Sequence, residues 1–262
     1  MGKYSNRALV SFEDRCPLNC KHCYTYELDT PSVNHNIPTI VSNLSSANFD
    51  VLYISQRYEN FYDEDQGYSL CKELFMKFHK DIFIITRSYL SDSLIRNLCD
   101  LNKEMQCHGN NLILAVSICA TSSYTRTENP ELCPTPTQRM MNLQRAHIGG
   151  IRTILMLRPI FPDTIIPVSE CTTLVSDYSE YIDAVVTSGL IVTDGILQRL
   201  QLNRNLLSYL AEGDSSYLDN LRNKEIMYVD VEAELRKIAS VCGSLGIPCF
   251  RHSMPALNAI VG

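Results

Sequence analysis

At 262 residues the chain has room for one large domain or two small ones, and 45% hydrophobic against 20% charged residues is ordinary globular usage. Asp and Glu (29) outnumber Lys and Arg (23), giving a formal charge of -6. That sign disfavours duplex nucleic acid as a partner, because affinity for a phosphate backbone comes from cationic surface. No apolar run approaches a membrane span, and the opening MGKYSNRALV lacks the apolar stretch of a secretory signal. A cytoplasmic protein without a membrane partner is expected.

In chain order, β-rich runs and amphipathic stretches alternate. Strands are predicted over residues 8–12 and 50–55, followed by a helix over 68–79 that presents Leu70, Leu74, Phe75 and Phe78 on one face. A strand over 81–86 precedes a helix over 91–105 with Leu94, Ile95, Leu98 and Leu101. A strand over 112–118 precedes a helix over 137–148, which opens at a Thr/Pro-rich cap and closes at Gly149-Gly150. Two more strands fall at 152–157 and 184–187. Beyond them, 194–213 and 229–244 read as helices and 247–250 as a last strand. Near-continuous apolar strands separated by helices imply βα units around a parallel sheet buried on both faces. Six such units are too few for an eight-fold barrel, so the expected fold is α/β, a partial (β/α)6 TIM-type barrel with a helical C-terminal cap. Residues 1–193 form the expected barrel core, with 194–262 an extension packed on the same domain.

Eleven cysteines, odd in number and irregular in spacing, do not describe a disulfide scaffold. Eight are scattered and read as small core residues or bystanders. Cys16, Cys20 and Cys23 differ. They form C-x3-C-x2-C within RCPLNCKHCY, just past the first strand, where a parallel barrel presents its active site. Three thiolates on a loop stiffened by Pro17 can converge on one metal centre. Structural zinc takes four ligands, and a fourth Cys or His at finger-like spacing is missing here. A four-iron cluster usually takes four thiolates too, so with three, one iron is left open to another ligand.

The pattern resembles the radical S-adenosylmethionine superfamily, whose C-x3-C-x-Φ-C motif places an aromatic-like residue where this chain has His22. The resemblance implies a [4Fe–4S] cluster on Cys16, Cys20 and Cys23 that binds S-adenosylmethionine at its open iron. It also implies reductive cleavage to a 5′-deoxyadenosyl radical that abstracts hydrogen, and a low-potential electron donor such as flavodoxin or ferredoxin. Over roughly residues 7–162 the closest likeness is to the spore photoproduct lyase-like group. DIFIITRS puts Arg87 in the place of that group's cofactor-contacting Lys, and AVSI directs Ser117 toward the cofactor. The segment at 134–150 resembles P-x-x-x-R…G-G, with Arg139 as the Arg. LRPIFP resembles the fifth-strand end, with Arg158 where the group has a small residue. His22, Ser55, Arg87, Ser117 and Arg139 are thus the expected cofactor-binding residues, and Arg57, Tyr58 and Arg158 the expected substrate contacts.

One departure weighs against thymine-dimer repair. Photoproduct lyases use a cysteine near the end of the second strand to return hydrogen; here Ser55 stands nearest, and its O–H bond is too strong for that. The set Arg57, Arg87, Arg139 and Arg158 suits a carboxylate or phosphate. A small, anionic organic or nucleotide-like substrate is therefore expected. The alternative is an enzyme that modifies a protein or peptide, such as a glycyl-radical activase, with lyase-type DNA repair behind both.

Overall fold

The computed structural model describes residues 3–27, 33–211 and 225–261. Its elements run β1 (Arg7–Val10), α1 (Ile37–Leu44), β2 (Val51–Ile54), α2 (Glu64–Phe78), β3 (Asp81–Thr86), α3 (Asp92–Cys107), β4 (Leu112–Ile118), α4 (Pro136–Ile148), β5 (Arg152–Ile160) and α5 (Val168–Asp177). Then follow β6 (Ala184–Gly189), β7 (Ile191–Val192), α6 (Asp194–Leu200), β8 (Tyr209–Leu210), β9 (Met227–Val229), α7 (Glu232–Ser244), β10 (Cys249–Phe250) and α8 (Ser253–Val261). Seven strands form one parallel sheet in the order β1-β2-β3-β4-β5-β6-β10. The two ends of the sheet do not pair, so the barrel is open, as the six-unit reading expected.

The inner strands carry two apolar faces, and the period-2 alternation sorts them. Leu52, Ile54, Ile82, Ile84, Leu112 and Leu114 pack outward with Leu70, Leu74, Phe75 and Leu98 of α2 and α3. Val51, Tyr53, Phe83, Ile113, Ala115, Ile154 and Met156 face inward, where Ala256 and Leu257 of α8 meet them. The last helix therefore plugs the concave side of the sheet. It is tied down by a two-way amide link between the Tyr4 backbone and the Asn258 side chain, at 2.8 and 3.1 Å.

Helix ends follow local chemistry. The Thr135 hydroxyl accepts from Gln138 N while Gln138 Oε1 accepts from Thr135 N, a capping box with Pro136 in the first turn. Asp63 caps α2 by accepting from Gln66 N (3.0 Å), and His79 ends that helix in the left-handed region at φ 47°. The predicted helix over 194–213 is corrected: α6 stops at Leu200, where Gln201 turns left-handed at φ 55°, and Tyr209–Leu210 is a strand. Residues 212 and 213 lie outside the described residues. The predicted helix over 229–244 starts three residues later, because Val229 belongs to β9. β7, β9 and β8 form a small antiparallel sheet whose two- and three-residue strands are too short to show a period. No helix among the described residues is long and apolar enough to cross a membrane.

Candidate functional site

Parallel strands deliver their C-terminal ends to one rim, where backbone and loops converge. A cavity of about 250 Å3 opens there, and Cys16, Cys20, His22, Cys23, Ser55, Arg57, Tyr58, Arg87, Ser117 and Arg158 all line it. Every expected site residue but one therefore meets in one place. The exception is Arg139.

The segment after β1 carries the cysteines with little regular structure, only a short 3-10 turn over Tyr24–Glu27. It is held by bonds to the segment after β4. Lys21 N donates to Thr127 O (3.0 Å), Lys21 Nζ to Thr125 O (2.9 Å), and His22 Nδ1 pairs with Thr127 O at 3.1 Å. Burial, with the Arg87 charge, holds His22 well below the ordinary imidazole range, so its ring is neutral and Nδ1 is the donor. Tyr26 donates its hydroxyl to Cys16 O (2.7 Å). Burial, aided by the Glu59 carboxylate, pushes the Cys16 thiol up to about 12, so a metal must displace its proton.

Three soft sulfurs on one cavity wall are the donor chemistry that iron–sulfur clusters take. The sulfurs do not yet converge. Cys20 Sγ lies 3.7 Å from Cys133 Sγ, Cys23 Sγ lies 3.0 Å from Thr25 Oγ1, and no three His, Cys, Asp or Glu side chains among the described residues stand close enough to share an ion. All three thiols nonetheless line the one cavity, and by donor type and number they fit a cluster held by three thiolates.

Also lining the cavity, Ser55 follows β2 in the left-handed region at φ 70°, rare for a residue with a Cβ. Asn60 holds this turn: its N–H donates to Ser55 Oγ (3.1 Å), its Nδ2 to Val10 O (3.2 Å), and its Oδ1 accepts from Phe12 N (3.0 Å). The ends of β1 and β2 are thereby locked together. Buried Glu59 accepts from Arg87 N (2.7 Å) and Thr86 Oγ1 (2.9 Å), and burial still raises its pKa.

Arg87 enters the cavity from the end of β3. Its Nη1 donates to Glu128 Oε1 (2.6 Å) and its Nη2 to the Arg158 carbonyl (2.9 Å), with both nitrogens 3.4 Å from Cys119 Sγ. Arg158 Nε donates to Ser188 Oγ (2.9 Å). Arg139 differs from its expected role as a cofactor contact. Its side chain is 0% exposed, and it donates through Nη2 to Glu128 Oε2 (2.6 Å) and through Nη1 to Ser117 O (2.8 Å). It stands behind the wall as one arm of a buried Arg87–Glu128–Arg139 triad. The first-turn position on α4 read as a rim position, but Glu128 turns the guanidinium inward.

Glu128, Cys119 and Cys133 were not singled out in the sequence, because a lone Glu and scattered thiols carry no spacing signal. Arg7 was missed as well; it lines the cavity and stands 5.1 Å over the Tyr53 ring. Among the described lining residues, four arginines (Arg7, Arg57, Arg87 and Arg158) face a single carboxylate, Glu59. The lining is thus richer in cationic side chains than the chain as a whole, whose formal charge is -6, although Arg87 is itself paired with Glu128.

No protein-family model and no curated protein matches the sequence. Solved structures do match in fold. Spore photoproduct lyase complexed with dinucleoside spore photoproduct aligns over 93% of this chain and 76% of that one, at TM-score 0.64 and 12% identity. A variant of that lyase with bound AdoMet and the dinucleoside aligns over 96% and 76%, at 0.62 and 10%. Streptococcus suis SuiB bound to S-adenosylmethionine aligns over 95% of this chain and 48% of its own, at 0.54 and 11%. The resemblance to the radical S-adenosylmethionine superfamily and its photoproduct lyase-like group thus holds in the fold.

Proposed function

We propose that the chain is a radical S-adenosylmethionine enzyme acting on a small anionic substrate, with Cys16, Cys20 and Cys23 holding a [4Fe–4S] cluster. The observation that carries this reading is the meeting of the three loop thiols with Ser55, Arg87, Ser117 and Arg158 around one cavity at the C-terminal ends of the strands. When bound, the cluster and S-adenosylmethionine would supply one-electron cleavage of the sulfonium and a 5′-deoxyadenosyl radical that abstracts hydrogen.

The chain's own residues do the rest. Arg87, fixed at four donor contacts, offers positive charge to a carboxylate without reorganising, and Ser55 and Ser117 offer hydroxyls at neighbouring strand ends. Glu59 sets the Arg87 backbone by accepting its N–H. Arg57, Tyr58 and Arg158 line the remaining wall and are assigned to the substrate. Leu18, Ile85, Met156 and Leu190 add an apolar lining to the cavity.

A nucleotide-like substrate is the second reading, favoured by the likeness to a lyase complexed with a dinucleoside photoproduct. Ser55 argues against a hydrogen return of that lyase's kind. The test is anaerobic reconstitution with iron and sulfide, then dithionite and S-adenosylmethionine. Release of 5′-deoxyadenosine supports the reading. Transfer of the aminocarboxypropyl arm instead would keep the cluster and refute hydrogen abstraction.

A further inference from the structure

We infer that Arg199, on the last turn of α6, is a positioning residue that clamps the cysteine loop and sets the charge its sulfurs experience. The inference rests on the reading of Cys16, Cys20 and Cys23 as cluster ligands.

The loop lacks regular hydrogen bonding of its own, so its carbonyls need partners from elsewhere. One guanidinium supplies several. Arg199 Nε donates to Lys21 O (3.0 Å), Nη2 donates to Cys23 O (2.9 Å), and Nη1 pairs with the Glu27 carboxylate. The same group stands 5.8 Å over the Tyr26 ring, whose hydroxyl donates to Cys16 O. A single side chain thereby ties down the loop from Cys16 to Glu27. The helix that carries it leaves room for the carboxylate: a Cβ on Gly195 would stand 2.6 Å from Glu27 Oε1. Thr193 accepts from Ile196 N (3.2 Å), which fixes the start of the short helix that carries Arg199.

Arginine suits this task because its planar fork binds several acceptors in fixed directions, which a lysine point charge does not. The charge matters separately. The guanidinium is bonded to the carbonyl of Cys23 itself, so its field acts a few bonds from a ligand sulfur. A fixed cation beside a thiolate-held cluster favours the reduced, more negative state. Glu27 opposes that field, so the two side chains act as one device. Fork and charge therefore make separable contributions, the first to holding the cluster and the second to its potential.

The test compares anaerobically reconstituted full-length wild type with Arg199→Lys, Arg199→Gln and the double variant Glu27→Gln/Arg199→Gln. The readouts are iron retained under chelator challenge and the reduction potential of the loaded fraction. Arg199→Lys should lose iron several-fold faster at an unchanged potential. Arg199→Gln should lose iron as fast and also show a reduced-to-oxidised ratio about tenfold lower at fixed poise, which is about 59 mV for a one-electron couple. The double variant should recover the potential and not the retention. If Arg199→Gln fails to fold, Glu27→Gln takes its place: it leaves the cation unopposed and should raise the reduced-to-oxidised ratio, and a wild-type potential there overturns the charge role. Wild-type retention in Arg199→Lys overturns the clamp, and a wild-type potential in Arg199→Gln, or equal potentials in Arg199→Gln and the double variant, overturns the charge role. A wild-type protein that takes up no iron sinks the cluster reading, and this inference with it.

Discussion

On one side of the cavity, the cysteine loop has a single 3-10 turn and is kept in place by Arg199, Thr125 and Thr127 from other parts of the chain. Packed beside that loop, Arg87 just past β3, Glu128 in the segment after β4 and Arg139 on α4 form a triad, with Glu128 and Arg139 fully buried. The first wall is held through exchangeable bonds to backbone carbonyls, the second through desolvated charge. Each arrangement suits what it faces. Thiolates that gather a metal need a loop whose side chains can reorient. A guanidinium that meets a carboxylate must already be in place, because reorganisation would offset the attraction. The triad is not free of cost: Arg139 Nε is buried without a hydrogen-bond partner, worth about 1–3 kcal/mol.

The largest effect expected from breaking the comparison falls on the loop. Cys16→Ala, Cys20→Ala and Cys23→Ala should each abolish iron binding, read as iron and sulfide per chain after reconstitution. The other eight cysteines should be replaceable without iron loss. Cys133→Ala is the sharpest case, because that thiol is already beside Cys20 and contributes only packing on this account.

Breaking the second wall should cost stability before chemistry. Removing one partner of a buried ion pair costs about 3–5 kcal/mol, because the other charge stays buried. Glu128→Ala should therefore lower the denaturation midpoint strongly, since it leaves two arginines behind. Arg139→Ala should do likewise while sparing cofactor affinity in whatever fraction folds. A tenfold loss of S-adenosylmethionine affinity in well-folded Arg139→Ala would restore Arg139 to the cavity.

Smaller effects serve as controls away from both walls. Thr135→Ala removes the capping box of α4 and should cost about 1 kcal/mol in urea unfolding, with no change in iron content. Asp50, at the start of β2, accepts from the backbone N–H groups of Asn6 and Ser5 and from the Ser5 hydroxyl, which hold its carboxyl down to about 2. A depressed carboxylate contributes stability that is present above its unfolded value near 4 and lost as pH falls through about 2. Asp50→Asn should flatten the stability profile across that window. An unchanged acid limb in the variant would contradict the assignment.

What was legible in the sequence and what was not follow from the range of the interactions. Strands 81–86 and 112–118 were read to the residue, because runs such as DIFIIT and LILAVSI are buried on both faces and bounded by turn chemistry. The cysteines were legible because their spacing lies within one loop. The triad and the Arg199 clamp were not. Glu128 meets Arg87 across 41 positions, and Arg199 meets Cys23 across 176, so neither contact leaves a local pattern. Arg139 shows the resulting error: its place in the first turn of α4 was right, but the direction of its side chain was set by a residue eleven positions away. The small sheet of β7, β9 and β8 escaped because its strands are too short for alternation, and Tyr209, Leu210 and Val229 fell within the helices read over 194–213 and 229–244.

The central claim is that the cavity joins a three-thiolate cluster to S-adenosylmethionine. The most direct measurement is electron–nuclear double resonance on the reduced, reconstituted protein with S-adenosylmethionine labelled with 15N at its amino group. A hyperfine coupling showing that nitrogen bound to iron is expected in the wild type, undiminished in the folded fraction of Arg139→Ala and weakened in Arg87→Ala. A reduced cluster with no coupling to the labelled nitrogen would contradict it.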